Sequence, residues 1–189
     1  MKNLSTLSKS IVMAVAIAGT GAATMIASQA ATTNGQVSEA QAAAQSKISL
    51  QQAIAIGNKT VKGDIISIEF DQNNYSASGE YEIKTIASNT EYEIKIDAET
   101  GKVLSTEQER LDRKDMAEYN AMKSAKVSLN QAMQTAVQSI KGKVIAAEFD
   151  IKNGKSIYEV KVAKGNQAYK VIIDSMTGQV ISSRLDNDD

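Results

Sequence analysis

One stretch of this chain is written twice, and a chain that repeats a strand, a turn and a strand is constrained to fold as two copies of one small unit. The stretch reads YEIKIDAETGKVLS from Tyr92 to Ser105 and YKVIIDSMTGQVIS from Tyr169 to Ser182. Tyr92, Ile94 and Ile96 alternate with polar residues, as Tyr169, Val171 and Ile173 alternate with their neighbours. Period-two alternation of aromatic and β-branched residues predicts a half-buried strand. Each copy then meets Asp-x-x-Thr-Gly. Gly101 and Gly178 supply the positive φ of a tight reversal, the Asp side chain bonds nearby backbone N–H groups, and a short returning strand follows.

The repeat extends well upstream. In KISLQQAIAIGNKTVKG, Ser49 and Gln52 have the spacing of a capping box, with Leu50, Ala53, Ile54, Gly57 and Val61 on one helical face. In KVSLNQAMQTAVQSIKG, Ser128 and Gln131 repeat the box, and Leu129, Ala132, Met133, Ala136, Val137 and Ile140 repeat the face. A cation and a glycine close each helix. Strands DIISIEFD and KVIAAEFD follow, then EYEIKTIA and IYEVKVA, with Ser88-Asn89 turning the first copy into its third strand. Roughly 22 aligned positions are identical, which marks an internal duplication. The offset between copies shrinks by two residues in the loop before the second strand, where length changes cost least. The expected fold is α+β, with two tandem small units, each one helix packed on an antiparallel three- to four-stranded sheet.

The remaining segments take their places around the repeats. Residues 1–30 read as a secretory signal: Lys2 and Lys9, an apolar run from Ile11 to Ala27, and small residues before an expected cleavage between Ala30 and Ala31. The alternative is a retained membrane anchor, for which the run is short. Residues 31–46, rich in Ala, Gln, Ser and Thr, read as a flexible spacer or a frayed helix. Residues 47–105 and 126–185 are the two units, 106–125 a charged connecting segment expected to be helical, and 186–189 an acidic tail.

Composition narrows the chemistry. Among 189 residues there is no Cys, His, Trp or Pro, and the formal charge is −1, with 21 basic and 22 acidic residues. That removes disulfides, cysteine nucleophiles, imidazole metal ligands and His-based triads. The charge balance offers no basic stripe for nucleic acid. Without Cys there is no lipid attachment site, and removal of the signal takes two lysines and leaves a net charge of −3.

A capped Ser-Leu-x-x-Ala helix, an Ile-x-x-Glu-Phe-Asp strand, a Tyr-Glu-Ile/Val-Lys strand and a terminal Asp-x-x-Thr-Gly-x-Val turn, in that order and twice over, resemble the PepSY domain. The resemblance covers Lys47–Ser105 and Lys126–Ser182. It implies a helix on an antiparallel sheet, no catalytic residue and no cofactor. It also implies occurrence in the propeptides of thermolysin-like secreted metallopeptidases and in bacterial envelope proteins, with a role in restraining peptidases. No peptidase follows in this sequence, so a free-standing module is expected, with a secreted or envelope peptidase as partner, engaged through an exposed sheet edge or the polar loop Gln72–Gly79. A non-inhibitory envelope sensor or small-ligand protein is the alternative.

Four sets of residues were candidates for chemistry. Asp97 and Asp174, with Glu99 and the nearby threonines, suggest calcium, but the turn offers too few oxygens and Glu99 becomes Met176 in the second copy, so they read as turn caps. Glu69/Asp71 and Glu148/Asp150 are carboxylates at strand spacing, read as a solvated outer face. Glu82/Lys84 and Glu159/Lys161 read as exposed cross-strand pairs. Tyr81/Tyr158 and Tyr92/Tyr169 fall on the apolar face, where core packing with a hydroxyl at the rim is expected over ligand stacking. No residue is assigned to catalysis, metal or cofactor binding.

Overall fold

A computed structural model describes residues 38–72 and 79–186. The expected signal, residues 31–37, most of the loop before the second strand and the last three residues lie outside the described residues. Among the described residues no helix is long and apolar enough to cross a membrane.

The first copy contains helix α2 (Leu50–Thr60) and strands β1 (Asp64–Asp71), β2 (Glu80–Ala87), β3 (Thr90–Asp97) and β4 (Val103–Arg110); α1 (Glu39–Gln45) precedes it. After α3 (Arg113–Lys123), the second copy runs α4 (Leu129–Ile140), β5 (Lys143–Lys152), β6 (Lys155–Lys164), β7 (Gln167–Asp174) and β8 (Val180–Leu185). Both capping boxes form: the Ser49 and Ser128 hydroxyls accept from the Gln52 and Gln131 amides, whose side chains return to the Ser backbone N–H. Leu50, Ala53 and Gly57 are buried on α2, and Ala132, Met133 and Ala136 on α4, the faces that the helical spacing predicts.

The sheets do not stay separate, which corrects the expectation of one helix on one small sheet per unit. All strands join one eight-stranded antiparallel sheet in the order β4-β3-β2-β1-β5-β6-β7-β8. The join is β1 against β5, through Ser67↔Glu148, Ile68↔Ala147 and Glu69↔Ala146. The duplication survives in detail. A register shift lies between Ile65 and Ser67 in β1 and between Val144 and Ala146 in β5, and a second pair interrupts β3–β4 and β7–β8. One apolar cluster serves both copies, running from Ile68, Phe70, Tyr81 and Ile83 to Phe149, Tyr158, Val160 and Val171.

The linking segments take definite forms. Ser38–Ser46 follows the helical alternative rather than the flexible spacer: the Ser38 side chain caps α1, and Ala40, Ala42 and Ala43 are buried where α1 lies against β1, β5 and β6. Alanine suits a helix that must lie close to a sheet, because it adds no bulk. Thr106–Arg110 is not helical; β4 continues along β3 as far as the Thr90↔Arg110 pair. The connecting helix begins only after Asp112, which caps it by accepting from the Lys114 and Asp115 amides.

Gly63 and Gly142 hold equivalent positions between helix and first strand, and both meet a backbone carbonyl. A Cβ on Gly63 would lie 2.4 Å from the Ile86 oxygen, and one on Gly142 2.2 Å from the Ala163 oxygen. Neither carbonyl can move without disturbing its strand. Gly142→Ala is therefore expected to cost about 2 kcal/mol, read as a lower urea midpoint at unchanged slope. Gly154→Ala, with no neighbour within 4 Å but φ of 74°, is expected to cost only about 1 kcal/mol. Equal midpoints for Gly142→Ala and the parent would contradict the packing argument.

Candidate functional site

The repeated turns are capped by their own aspartates. Asp97 Oδ1 accepts from the Glu99 amide (3.1 Å), the Thr100 amide (2.7 Å) and the Thr100 hydroxyl (2.7 Å). Asp174 Oδ1 accepts from the Met176 amide (2.9 Å), the Thr177 amide (2.8 Å) and the Thr177 hydroxyl (3.1 Å). Bonds to the ionised form hold both carboxyls below the usual range, led by the Thr100 hydroxyl in one copy and the Thr177 amide in the other. Glu99 and Met176 each give the cap only a backbone amide, so the exchange leaves the cap intact and removes only the Glu99 ion pair to Lys47. Among the described residues no three His, Cys, Asp or Glu side chains converge as metal ligands.

Tyr81 and Tyr158 pack edge-on against Phe70 and Phe149, ring centres 5.5 Å apart in both copies. Their hydroxyls donate to the backbone oxygens of Ile48 (2.7 Å) and Val127 (2.6 Å), just ahead of the capped helices. Each tyrosine thus fastens helix entry to sheet. Tyr92 and Tyr169 are only half-buried, and the Tyr169 hydroxyl donates to Gln167 Oε1 at 3.2 Å.

The sheet face turned away from this core is where the sequence reading falls short. Glu148, Asp150, Glu159 and Lys161, expected in solvent, are each 8% exposed or less. Once β1 and β5 join, these strands lie mid-sheet, and long side chains standing side by side shield one another. The pairing also differs from expectation. Glu82 does meet Lys84, at 3.6 Å, and Lys95 reaches Glu82 from β3 at 3.7 Å. Glu159 bonds to Lys152 and to Lys170 (2.7 Å), while Lys161 reaches Asp186 at 3.4 Å. Asp186 itself is no solvated tail residue: its amide donates to the Ala168 oxygen, and its carboxylate, 3% exposed, also lies 3.7 Å from Lys170.

These neighbours divide the acids. Burial opposes ionisation of Glu159, but its bonds to Lys152 and Lys170 outweigh it and hold the carboxyl below the usual range. Glu69 and Glu148 have no such partner within ion-pair distance among the described residues. Burial pushes each up to about 7; Lys161 and Lys84 oppose the rise at Glu69, while Glu159, Asp150 and Glu69 add to it at Glu148.

Two further features border solvent. Between the copies, on the helix side, lies an open cleft of about 480 Å³ lined by Ile54, Asn58, Asp64, Met122, Val127 and Leu129, among others. Asp64 is committed there, accepting from the Tyr119 hydroxyl (2.5 Å) and Lys123 (2.9 Å), and the Tyr119 hydroxyl is pushed up to about 12 in return. At the sheet's two ends, β4 and β8 are free edges of different character. β4 exposes Leu104 (50%) near its start and ends in exposed Glu107, Gln108, Glu109 and Arg110. β8 exposes Val180 (40%), Ile181 (53%) and Leu185 (38%), with Arg184 its one charge.

The raised carboxyls set a pH dependence. A folded pKa above the unfolded value of about 4.5 means that the folded state binds more protons, so this contribution is fully present below about pH 4.5 and lost as pH rises through about 7. Asp64, Asp97 and Asp174 act oppositely and weaken the fold only on acidification below the usual carboxylate range. Unfolding free energy is expected to fall by on the order of 2 kcal/mol between pH 5 and pH 8, and Glu148→Gln to flatten that slope. A parent slope that is flat or rising over this interval would contradict the assignment.

No curated protein matches the chain. Among solved structures, a candidate lipoprotein from Clostridium difficile 630 is 24% identical, over 75% of this chain and 95% of that one, with a TM-score of 0.46. The YpmB protein from Bacillus subtilis is 13% identical over 72% and 97% (TM-score 0.31), and the Bacillus megaterium YpeB C-terminal domain is 19% identical over 76% and 68% (TM-score 0.31). The family described as "Peptidase propeptide and YPEB domain", PepSY, matches residues 47–107 and again 126–184. Its domains are generally non-catalytic propeptide or regulatory modules. Those two matches span more than half of the sequence and coincide with the two copies in the sheet: the chain belongs to the PepSY family and carries its domain in tandem.

Proposed function

We propose that this protein is an extracytoplasmic, non-enzymatic binding module that restrains a secreted or envelope peptidase by presenting β8 as an open sheet edge. The observation that carries the reading is the asymmetry of the two edges. An unpaired strand offers a row of backbone donors and acceptors to any extended segment, and charges are a usual guard against unwanted pairing. Each edge exposes an aliphatic residue at matched positions, Leu104 and Ile181, but β4 continues into that guard with Glu107, Glu109 and Arg110, whereas β8 adds Val180 and Leu185 with a single arginine. Peptidases bind extended chains, so an apolar edge strand is a suitable ligand for one. PepSY membership supports the peptidase as partner class, and the basic, then apolar, then small-residue pattern of residues 1–30 supports export with cleavage after Ala30.

The test uses residues 31–189 immobilised and exposed to envelope extract containing active peptidases. A peptidase is expected on the resin, with its activity falling as free protein is added. Ile181→Lys is expected to weaken inhibition at least about tenfold, the equivalent of about 1.4 kcal/mol. Failure to retain any peptidase, or equal inhibition by Ile181→Lys, would overturn the reading. The first result would favour a sensor or small-ligand protein using the inter-repeat cleft.

A further inference from the structure

The β1–β5 seam is short and chemically odd. Only three residue pairs hold it, and its two faces differ. On the core side Ile68 and Ala147 meet under α1, whose buried contacts are the alanines 40, 42 and 43. On the other side Glu69 lies opposite Ala146 and Glu148 opposite Ser67, which makes the two glutamates diagonal neighbours across the seam. Diagonal positions on one face lie within reach of long side chains, and like charges in that relation repel.

The surroundings sharpen the conflict. Glu69 directly faces Glu82 on β2, and Glu148 directly faces Glu159 on β6. The cations are drawn to the outer carboxylates: Lys84 and Lys95 to Glu82, Lys152 and Lys170 to Glu159, and Lys161 to Asp186. Asp71 and Asp150, further along the central strands, add two more acids. Lys161 and Lys84 still favour ionisation of Glu69, and Lys152 that of Glu148, but burial outweighs them, and the two carboxyls at the centre of the sheet share cations that their neighbours hold more closely.

We propose that the β1–β5 seam is a proton-gated joint: with Glu69 and Glu148 protonated the two repeats share one sheet, and with both ionised the seam opens while each repeat keeps its own four strands. Opening relieves the acids because each regains water on the freed edge. The titration falls near neutrality, since both carboxyls are raised to about 7. What then tethers the repeats is α3 with its flanks and the end of α1, where Lys143 Nζ donates to the Ala43 oxygen and Ser46 Oγ lies 3.1 Å from the Tyr81 hydroxyl. The joint stands independently of whether β8 receives a peptidase.

The experiment is hydrogen exchange on residues 31–189 at pH 5.5 and 8.5, corrected for intrinsic exchange rates. The amides that bridge β1 and β5 within Ser67–Glu69 and Ala146–Glu148 are expected to lose protection at least about tenfold at the higher pH, the factor that one pK unit supplies. Amides joining β2 to β3 and β6 to β7 are expected to lose less protection than the seam amides, since they follow only the fall in global stability. The double variant Glu69→Gln, Glu148→Gln is expected to keep the seam protected at both values, and Glu107→Gln on β4 to respond like the parent. Uniform loss across the sheet, no loss at the seam, or a pH response that persists in the double variant would overturn the proposal.

Discussion

Each repeat, built alone, would leave the outer side of β1 or β5 with backbone N–H and C=O groups facing water and open to any other strand. A unit of about 60 residues buries only about 60% of its unfolded surface, which leaves little stability to offset such an edge. Antiparallel pairing of β1 with β5 covers the middle of both edges at once and joins two small cores into one cluster. Much else follows from that join. It places β5 and β6 mid-sheet, crowds Glu148 and Glu159 out of solvent, and creates the surface on which α1 lies. It also leaves β4 and β8 at the ends of the sheet, the first carrying charges beyond its exposed Leu104 and the second mostly aliphatic.

What was legible in the sequence is what local chemistry determines. Ser49/Gln52 and Ser128/Gln131 state their helices within four residues, and Asp97-x-x-Thr-Gly101 states its turn within five. Tyr81 and Tyr158 declare themselves core residues by alternation alone, though not that their hydroxyls would tie down Ile48 and Val127. The Asp112/Asp115 box that starts α3 was also there to be read, and would have moved the start of the connecting helix past Arg110. The seam was not legible, because the residues that form it look like any half-buried strand. Period-two patterning says which face Glu148 occupies; it says nothing of how crowded that face becomes when another sheet arrives. Alanine hid α1 in the same way: Ala40, Ala42 and Ala43 carry too little apolar surface to mark a buried helix face.

The duplication gives each copy the same order of helix and four strands, and the copies depart from one another in a few places. In the first copy β1 ends at Asp71 and β2 begins at Glu80, whereas the second closes β5 to β6 with Asn153-Gly154, both at positive φ, and lengthens both strands. The ion pairs of the second copy are tighter and more buried, gathered around Glu159, Lys170 and Asp186, than those around Glu82 and Lys95 in the first. The more apolar free edge, β8, belongs to this same copy, whose ion pairs are the more buried ones.

The central claim is that two PepSY repeats form one structural unit through β1 and β5. Calorimetric unfolding of residues 31–189 at pH 6, where the seam is closed, tests it most directly. The account predicts a single transition whose calorimetric and van't Hoff enthalpies agree for the whole chain. Two separable transitions, each with the enthalpy of one repeat, would contradict it.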